Sequence, residues 1–233
     1  MGKYKDLVFV IPCFNEEKTI GSLVTSIREM GDVLIIDDCS NDDSFNRGLK
    51  KRALVFKNNI NIGYHKSLLK GILLAKRNGY KYCITIDADK QHPIKEIPKI
   101  YNLLKNNKKL VHTIRSDIER PGEKFLSFLS KLILKIKDPI SGFKGYNIQS
   151  FSESFLEDQS KMDLIGMNLL LFTVLNEKSK YACIQIKTKK RLDKSRYGIG
   201  LKTNLKIFRI TLKFIYLIFI IKLFSNGKYT IDN

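Results

Sequence analysis

One short stretch constrains this sequence more than any other: an apolar run that stops at two carboxylates. Residues 82–86 are apolar or β-branched, which is typical of a buried strand, and Asp87-Ala88-Asp89 follows at once. Because carboxylates are costly to bury, such a strand is expected to end at a ligand site. In open α/β sheets, ligands bind at the carboxyl ends of the strands. Asp-x-Asp there suits a hard divalent cation that also binds phosphate oxygens.

The competing interpretation is that Asp87 and Asp89 only cap the helix that begins after Pro93. The rest of the chain bears on this choice, because a second apolar run, residues 33–36, also ends in an acidic pair, Asp37-Asp38. Strand-like and helix-like segments alternate, which predicts an open, mainly parallel α/β sheet with helices on both faces. Acidic groups from separate strands would then converge at one edge and could hold a nucleotide and its metal.

Apolar periodicity locates the other elements. Strands are predicted at residues 7–11, 33–36, 54–56, 82–86, 110–114 and 182–186, and a tight loop at residues 138–143 is predicted to precede a further strand. Helices are predicted at residues 20–30, 63–76, 94–106, 124–137, 164–175 and 208–224. The length of 233 residues suits one substantial α/β domain. A boundary near residue 202 is predicted to divide a catalytic domain, residues 1–202, from an apolar tail, residues 203–233.

The composition limits the environment and the partners. The net charge of +19 predicts attraction to polyanions, namely nucleic acid, anionic lipid or phosphorylated substrates. The four cysteines are far apart and form no C-x-x-C pair, which favours reduced thiols in a cytosolic protein over a disulfide framework or a zinc site. The first apolar run is too short for the core of a signal peptide.

Two segments have a basic and an apolar side. Residues 124–137 place four lysines beside an apolar stripe, and residues 208–224 are the most hydrophobic segment of the chain but contain charges. The second segment is too short and too charged for a confident spanning helix, and an interfacial helix fits better. The alternatives are a helix packed on the domain and, for the tail, pairing with another subunit.

Five ordered motifs resemble those of a known family. They are residues 10–16, 35–40, 61–63, 87–93 (Asp-Ala-Asp-Lys-Gln-His-Pro) and 141–143 (Ser-Gly-Phe). The chain therefore resembles the inverting glycosyltransferases of family two, which have the GT-A fold, a Rossmann-like, mainly parallel sheet flanked by helices. Within that family it is most similar to the dolichyl-phosphate and polyprenyl-phosphate sugar synthases. The resemblance covers about residues 6–200.

The resemblance implies a role for each matching residue. Asp38 would hold the base or ribose of a nucleotide-diphospho-sugar, and Asp89 and Gln91 would hold Mg²⁺ or Mn²⁺ against the diphosphate. Arg115 would approach the phosphates or the acceptor. The residues implied in donor binding are Pro12, Phe14, Glu16, Asp38, Asp87, Ala88, Asp89, Arg115, Arg191 and Arg196. The candidate catalytic residues are Asp87, Asp89, Arg191 and Asp138.

The sequence departs from the family pattern in three places. The basic segment at residues 187–196 matches the family's Arg-x-x-Gly-x-Ser-Lys signature imperfectly, so either Lys190 or Arg191 takes the arginine position, and Arg191 is favoured. Lys90 replaces the usual apolar residue between the metal-binding positions. The absence of tryptophan excludes the Gln-x-x-Arg-Trp motif of processive synthases, which speaks against polymerisation.

The predicted reaction is the transfer of one sugar with inversion. A polyprenyl phosphate acceptor is already ionised near neutral pH and needs no strong base, whereas a hydroxyl acceptor does. A metal-bound Asp89 would be a poor base, and no other candidate stands out; Asp138 is the weak choice that is left. The absence of an obvious base favours the phosphate acceptor.

Two rival functions stay open. One is a glycosyltransferase that uses a hydroxyl acceptor in the synthesis of a cell-surface glycan or glycolipid. The other is a non-catalytic basic module that binds membrane or nucleic acid, in which case the acidic strand ends would serve no purpose. The favoured interpretation is a cytoplasmic enzyme, peripherally associated with the anionic inner face of the membrane, with no nucleic-acid partner.

Overall fold

A computed structural model describes residues 2–118, 120–161, 164–189 and 201–225, which contain seven strands and eight α-helices. The strands are β1 (Leu7–Cys13), β2 (Asp32–Asp37), β3 (Leu54–Lys57), β4 (Tyr82–Thr85), β5 (Leu110–Arg115), β6 (Lys144–Asn147) and β7 (Tyr181–Ile186). The helices are α1 (Ile20–Ile27), α2 (Ser44–Lys50), α3 (Tyr64–Arg77), α4 (Ile97–Lys105), α5 (Pro121–Leu134), α6 (Glu153–Asp158), α7 (Ile165–Asn176) and α8 (Leu201–Ser225).

All seven strands form one sheet in the order β3-β2-β1-β4-β6-β5-β7. Only β6 is reversed: it pairs antiparallel with β4 and with β5, while the remaining pairs are parallel. The predicted mainly parallel α/β class is therefore confirmed. The carboxyl ends of β1, β2, β4, β5 and β7 lie at a single edge, called the carboxyl edge below.

The first strand shows why helices cover both faces of the sheet. Every residue of β1 is buried, as expected for a central parallel strand. Because side chains alternate along a strand, Phe9 and Ile11 pack into the cluster that contains α1 and α4, whereas Val8 and Val10 pack into the cluster that contains α3 and α7.

A glycine sets the distance between α3 and the sheet. A Cβ atom on Gly71 would lie 2.4 Å from Cγ1 of Val10 and 3.1 Å from Cγ1 of Ile36, closer than side chains pack. The bare glycine therefore lets α3 approach β1 and β2. This approach fixes the start of α3, which lies at the carboxyl edge.

The structure differs from the predicted elements in three ways. The short helices α2 and α6 are not predicted, because neither has an apolar stripe long enough to show a period. Helix α5 begins three residues earlier than predicted, with Pro121 in its first turn, and ends before Lys135, whose φ is 61°. Helix α8 begins at Leu201, seven residues before the predicted start.

Helix α8 packs against the domain. Phe214, Leu217 and Ile218 are buried with Leu126 of α5 and Leu171 of α7 in a third apolar cluster. The described helices include none that is both long enough and apolar enough to cross a bilayer. The division of the chain at residue 202 stays a prediction.

Replacing Gly71 with alanine should destabilise the protein by about 1–3 kcal/mol, because the added methyl group overpacks the α3–sheet contact. Gly21→Ala in α1 is the matched control. A Cβ there meets nothing closer than 3.9 Å, so the gain in helix propensity should stabilise the fold by about 0.5–1 kcal/mol. Urea denaturation of both variants measures these changes, and equal stabilisation by both would contradict the close packing.

Candidate active site

Asp38 fastens the loop that precedes α3. The residue follows β2 and is only 3% exposed. Its carboxylate accepts hydrogen bonds from the backbone N–H groups of Ile62 (2.9 Å) and Gly63 (2.8 Å) and from the side-chain amide of Asn58 (2.9 Å). The carboxylate thus links the end of β2 to the first residue before α3.

The loops that follow β1 and β2 are held together in the same way. The backbone N–H of Asn15 donates to Oγ of Ser40 (2.9 Å), and that hydroxyl in turn donates to the buried carboxylate of Asp37. The backbone N–H of Glu16 donates to Oγ of Ser44 (2.7 Å). Pro12 is buried in β1, Glu16 is buried in the loop that follows, and Phe14 is half-buried between them. The residues predicted to line the nucleotide pocket are therefore adjacent at this edge.

Asp87 is held by two side chains from different elements. One oxygen accepts a hydrogen bond from the hydroxyl of Tyr64 (2.7 Å) at the start of α3, and the other lies 3.0 Å from Nε2 of His92. The His92 ring stacks on Phe143, with 5.0 Å between centroids. A Cβ atom on Gly142 would lie 2.5 Å from Oδ2 of Asp87, so only glycine fits beside this carboxylate.

The surroundings keep Asp87 ionised. Burial alone would raise the pKa of its carboxyl, but the hydrogen bond and charge of His92, the Tyr64 hydroxyl and the charge of Arg115 outweigh burial and hold the pKa well below its usual value. A carboxyl group with a depressed pKa is negative throughout the neutral range. Asp87 therefore presents a fixed negative charge of set orientation.

Asp89 and Gln91 lie on the tight loop after Asp87. Lys90 between them has a φ of 63°, and the backbone N–H of Gln91 donates to the Asp89 carboxylate (3.1 Å). The Gln91 side-chain amide donates to the carbonyl of Lys189 (3.3 Å), and the Lys189 N–H donates to the Gln91 carbonyl (2.9 Å). The start of the basic segment after β7 is thus joined to this loop.

The donor set of this loop fits a hard divalent cation. Asp89 supplies carboxylate oxygen, and the amide of Gln91, whose nitrogen is engaged by Lys189, supplies a carbonyl oxygen. Such ligands suit Mg²⁺ or Mn²⁺. In the part of the chain that the structure describes, no three His, Cys, Asp or Glu side chains group to form a closed metal site.

Arg115, the last residue of β5, is held in place by the carboxylates of Asp138 and Glu123. Its backbone N–H and Nε donate to one oxygen of Asp138 (3.0 and 2.8 Å), and one Nη donates to the other oxygen (2.8 Å) and to Glu123 (3.0 Å). Burial would lower the pKa of Arg115, but Asp138 and Glu123 raise it above its ordinary value. Because three bonds from Arg115 engage Asp138, the geometry favours a positioning role for Asp138 over proton abstraction.

Two further buried basic side chains, those of Lys144 and His112, lie near Arg115 and Asp138. Burial lowers the pKa of Lys144, which is 2% exposed, to about 8, and its ammonium group donates to the carbonyl of Ser141. Burial lowers the pKa of His112 to about 3, so its ring is neutral, and Nε2 lies 3.0 Å from the carbonyl of Lys137. Both side chains fix the loop from residue 137 to residue 143, which carries Asp138 and Gly142.

The structure brings most of the predicted site residues to the carboxyl edge. Arg191 and Arg196 lie outside the described residues, as does the choice between Lys190 and Arg191. The contacts add residues to which the sequence analysis assigned no role: Tyr64, His92, Glu123, Gly142 and Lys144. His92 and Gly142 stand inside the recognised motifs and could have been included, whereas nothing in the sequence pairs Tyr64 with Asp87.

Removal of the Tyr64 hydroxyl should impair the site more than the fold. Tyr80→Phe is the matched control, because its hydroxyl also donates over 2.7 Å to a carboxylate, that of Asp32 at the opposite edge of the sheet. Each variant should lose about 1 kcal/mol of stability, the net value of one hydrogen bond. Only Tyr64→Phe should also lower kcat/KM for a donor substrate, by about tenfold. Equal kinetics in the two variants would show that orienting Asp87 has no functional role.

Comparison with known proteins identifies a family and several relatives. The family described as Glycosyl transferase family 2 matches residues 8–178, more than half of the chain. An uncharacterised protein of Methanocaldococcus jannaschii is 27% identical, over 91% of this chain and 100% of its own length. The undecaprenyl-phosphate 4-deoxy-4-formamido-L-arabinose transferase of Pectobacterium atrosepticum is 29% identical over 55% of this chain, and the match spans only 42% of that enzyme.

A solved structure has the same fold. Glucosyl-3-phosphoglycerate synthase of Mycobacterium tuberculosis, solved with Mn²⁺, uridine-diphosphate-glucose and phosphoglyceric acid, superposes with a TM-score of 0.67 and covers 89% of this chain and 79% of its own. At 17% identity, this likeness concerns the fold alone. The predicted GT-A-like fold and the predicted resemblance to polyprenyl-phosphate sugar transferases are confirmed, and the family match shows that this chain belongs to glycosyl transferase family 2.

Proposed function

We propose that the protein transfers one sugar, with inversion, from a nucleotide-diphospho-sugar to a membrane lipid phosphate of the polyprenyl type. The observation that carries the proposal is the ordered carboxyl edge, where Asp38 follows β2, Asp87 and Asp89 follow β4, and Arg115 ends β5. Acidic loops beside a fixed arginine suit a diphosphate bound with a cation. Family membership supports the reaction class.

The donor would bind with its nucleotide beside Pro12, Phe14, Glu16 and Asp38. Asp89 and Gln91 would hold Mg²⁺ or Mn²⁺, which supplies charge neutralisation for the departing diphosphate. The Mn²⁺ and uridine-diphosphate-glucose in the mycobacterial structure support this use of the fold. Asp87, oriented by Tyr64 and His92, would accept hydrogen bonds from the sugar or the ribose.

The basic segment after β7 would complete the donor site. Lys189 is joined to Gln91 by two hydrogen bonds, so the chain that continues to Arg191 and Arg196 starts beside the proposed cation site. Cationic side chains that start there could close over the diphosphate. The two arginines would then stabilise the leaving group.

The acceptor assignment rests on the state of the nearby carboxylates. A lipid phosphate is already ionised and needs no general base, whereas a hydroxyl does. Asp138, the candidate base, is engaged by Arg115, and Asp87 is engaged by Tyr64 and His92. The undecaprenyl-phosphate relatives support a lipid phosphate, and the enzyme would act at the cytoplasmic face of an anionic membrane. The alternative is a hydroxyl acceptor in a cell-surface glycan or glycolipid.

Donor binding is tested by thermal stability with Mn²⁺ and a panel of nucleoside diphosphates. At a hundredfold excess over Kd, the matching nucleotide should stabilise the protein by about 2.7 kcal/mol. For a chain of this length, each kcal/mol of stabilisation raises Tm by about 2–4 °C. Asp89→Ala should lose the stabilisation, and Asp32→Ala, at the opposite edge, should keep it. No stabilisation by any nucleotide in the wild type would reject the proposal.

The acceptor class is tested with the nucleotide-sugar that the first experiment identifies. Product should form with a short polyprenyl phosphate and not with the matching polyprenol, and its anomeric configuration should be opposite to that of the donor. Nuclear magnetic resonance of the product reports the configuration. Transfer to the polyprenol or to a glycan hydroxyl, with none to the phosphate, would establish the alternative.

A further inference from the structure

Helices α5 and α8 expose an unusual amount of apolar surface. Of the fourteen large apolar side chains that are exposed in the described part of the chain, ten lie on these two helices. On α5 they are Phe125, Phe128, Leu132 and Ile133, and on α8 they are Leu205, Phe208, Leu212, Ile215, Tyr216 and Phe219. These ten residues are called the two-helix face. Exposed patches of this kind mark interaction sites.

Helix α8 has two apolar stripes on different sides. Ile207, Thr211, Phe214 and Ile218 recur at helical spacing and are buried against the domain. The stripe that includes Phe208, Leu212, Ile215 and Phe219 has the same spacing but is exposed, with Phe208 at 55% and Phe219 at 62%. A helix that only covers its own domain needs the first stripe alone, so the second requires another apolar environment.

The apolar side of α5 continues this surface. Gly122 of α5 lies against Ile207 of α8, where an added Cβ would be 3.1 Å from that side chain, and Leu126 packs into the cluster with Phe214. Phe128 and Leu132 lie on a neighbouring side of α5 and are each 63% exposed. Because α5 and α8 contact each other, their exposed stripes belong to one packed pair of helices.

Basic residues flank the two-helix face. At helical spacing, Lys124 and Lys131 fall beside the Phe128 stripe of α5, and the exposed residues Arg209 and Lys213 fall beside the outer stripe of α8. Apolar side chains bordered by cations match the interface of a bilayer that carries anionic lipids. A second copy of a chain with a net charge of +19 would bring like charges together instead.

The two-helix face adjoins Arg115, which the family resemblance places near the phosphates or the acceptor. Glu123, in the first turn of α5, accepts a hydrogen bond from Arg115, and the next residue, Lys124, lines a cavity of about 330 Å³. The cavity is lined by Ile114, Arg115, Ser116, Ile118, Lys124, Lys137 and Gln185. A surface that met lipid along α5 would therefore lie next to the cationic end of β5.

We propose that the two-helix face docks the protein, without spanning, on the surface of an anionic lipid bilayer. Both helices take part: Phe125, Phe128 and Leu132 enter the interface together with the outer stripe of α8. The binding itself is independent of catalysis, whereas its use, to present a lipid phosphate beside Arg115, rests on the proposed function. The flanking lysines and arginine bind the anionic headgroups.

The test is flotation of the purified protein with vesicles of phosphatidylcholine alone or with phosphatidylglycerol added. The wild type should float with the anionic vesicles. Phe128→Ser/Leu132→Ser and Phe208→Ser/Leu212→Ser should each reduce the bound fraction at least tenfold. Leu54→Ser/Ile60→Ser is the matched control, because these side chains are 53% and 70% exposed at the β3 edge of the sheet, and its binding should equal that of the wild type.

One further double variant and added salt test the role of the basic residues that flank the two-helix face. Lys131→Glu/Arg209→Glu, both at exposed positions, should weaken binding to anionic vesicles, and added salt should weaken binding of the wild type. Thermal stabilisation by Mn²⁺ and nucleotide should persist in all these variants, which separates loss of docking from failure of the proposed function.

Equal binding by the face variants and the control would overturn the proposal. A wild-type dimer that only the face variants convert to monomer, with no vesicle binding, would overturn it as well.

Discussion

The carboxyl edge depends on the need of buried and half-buried carboxylates for hydrogen-bond donors. Asp38 obtains them from the backbone before α3, Asp87 from Tyr64 and His92, and Asp138 from Arg115. A buried charge without partners would cost several kcal/mol, so each carboxylate fixes the elements that supply its donors. The cost of burying these charges therefore holds separate loops in one arrangement, which a ligand can meet without reorganising the site.

The reversed strand β6 brings a further loop, residues 137–143, to the carboxyl edge. Because β6 runs against its neighbours, the loop at residues 137–143 enters the sheet from the carboxyl edge and places Gly142 against Asp87 and Asp138 against Arg115. The buried Lys144 and neutral His112 secure this loop from inside. The loop at residues 137–143 thus contacts both Asp87 and Arg115 and joins the two parts of the site.

The sequence predicts those parts of the fold that have a period or a motif. The sequence predicts the buried strands and the longer helices except α8 within about three residues, and the motifs locate the carboxyl edge because their residue types match a known family. Helices α2 and α6 were not predicted, since short elements take their stability from tertiary contacts such as Gly48 against Ile35. The pairing of Tyr64 with Asp87 arises from the packing of α3 on β1, which no local pattern encodes.

The position of α8 in chain order has a consequence during synthesis. Leu126 of α5 and Leu171 of α7 belong to a cluster that is completed by Phe214 and Ile218, which leave the ribosome after the whole sheet has been made. Until then, the nascent chain exposes apolar surface on a domain whose other layers can already fold. Until α8 covers it, that surface is accessible to chaperones.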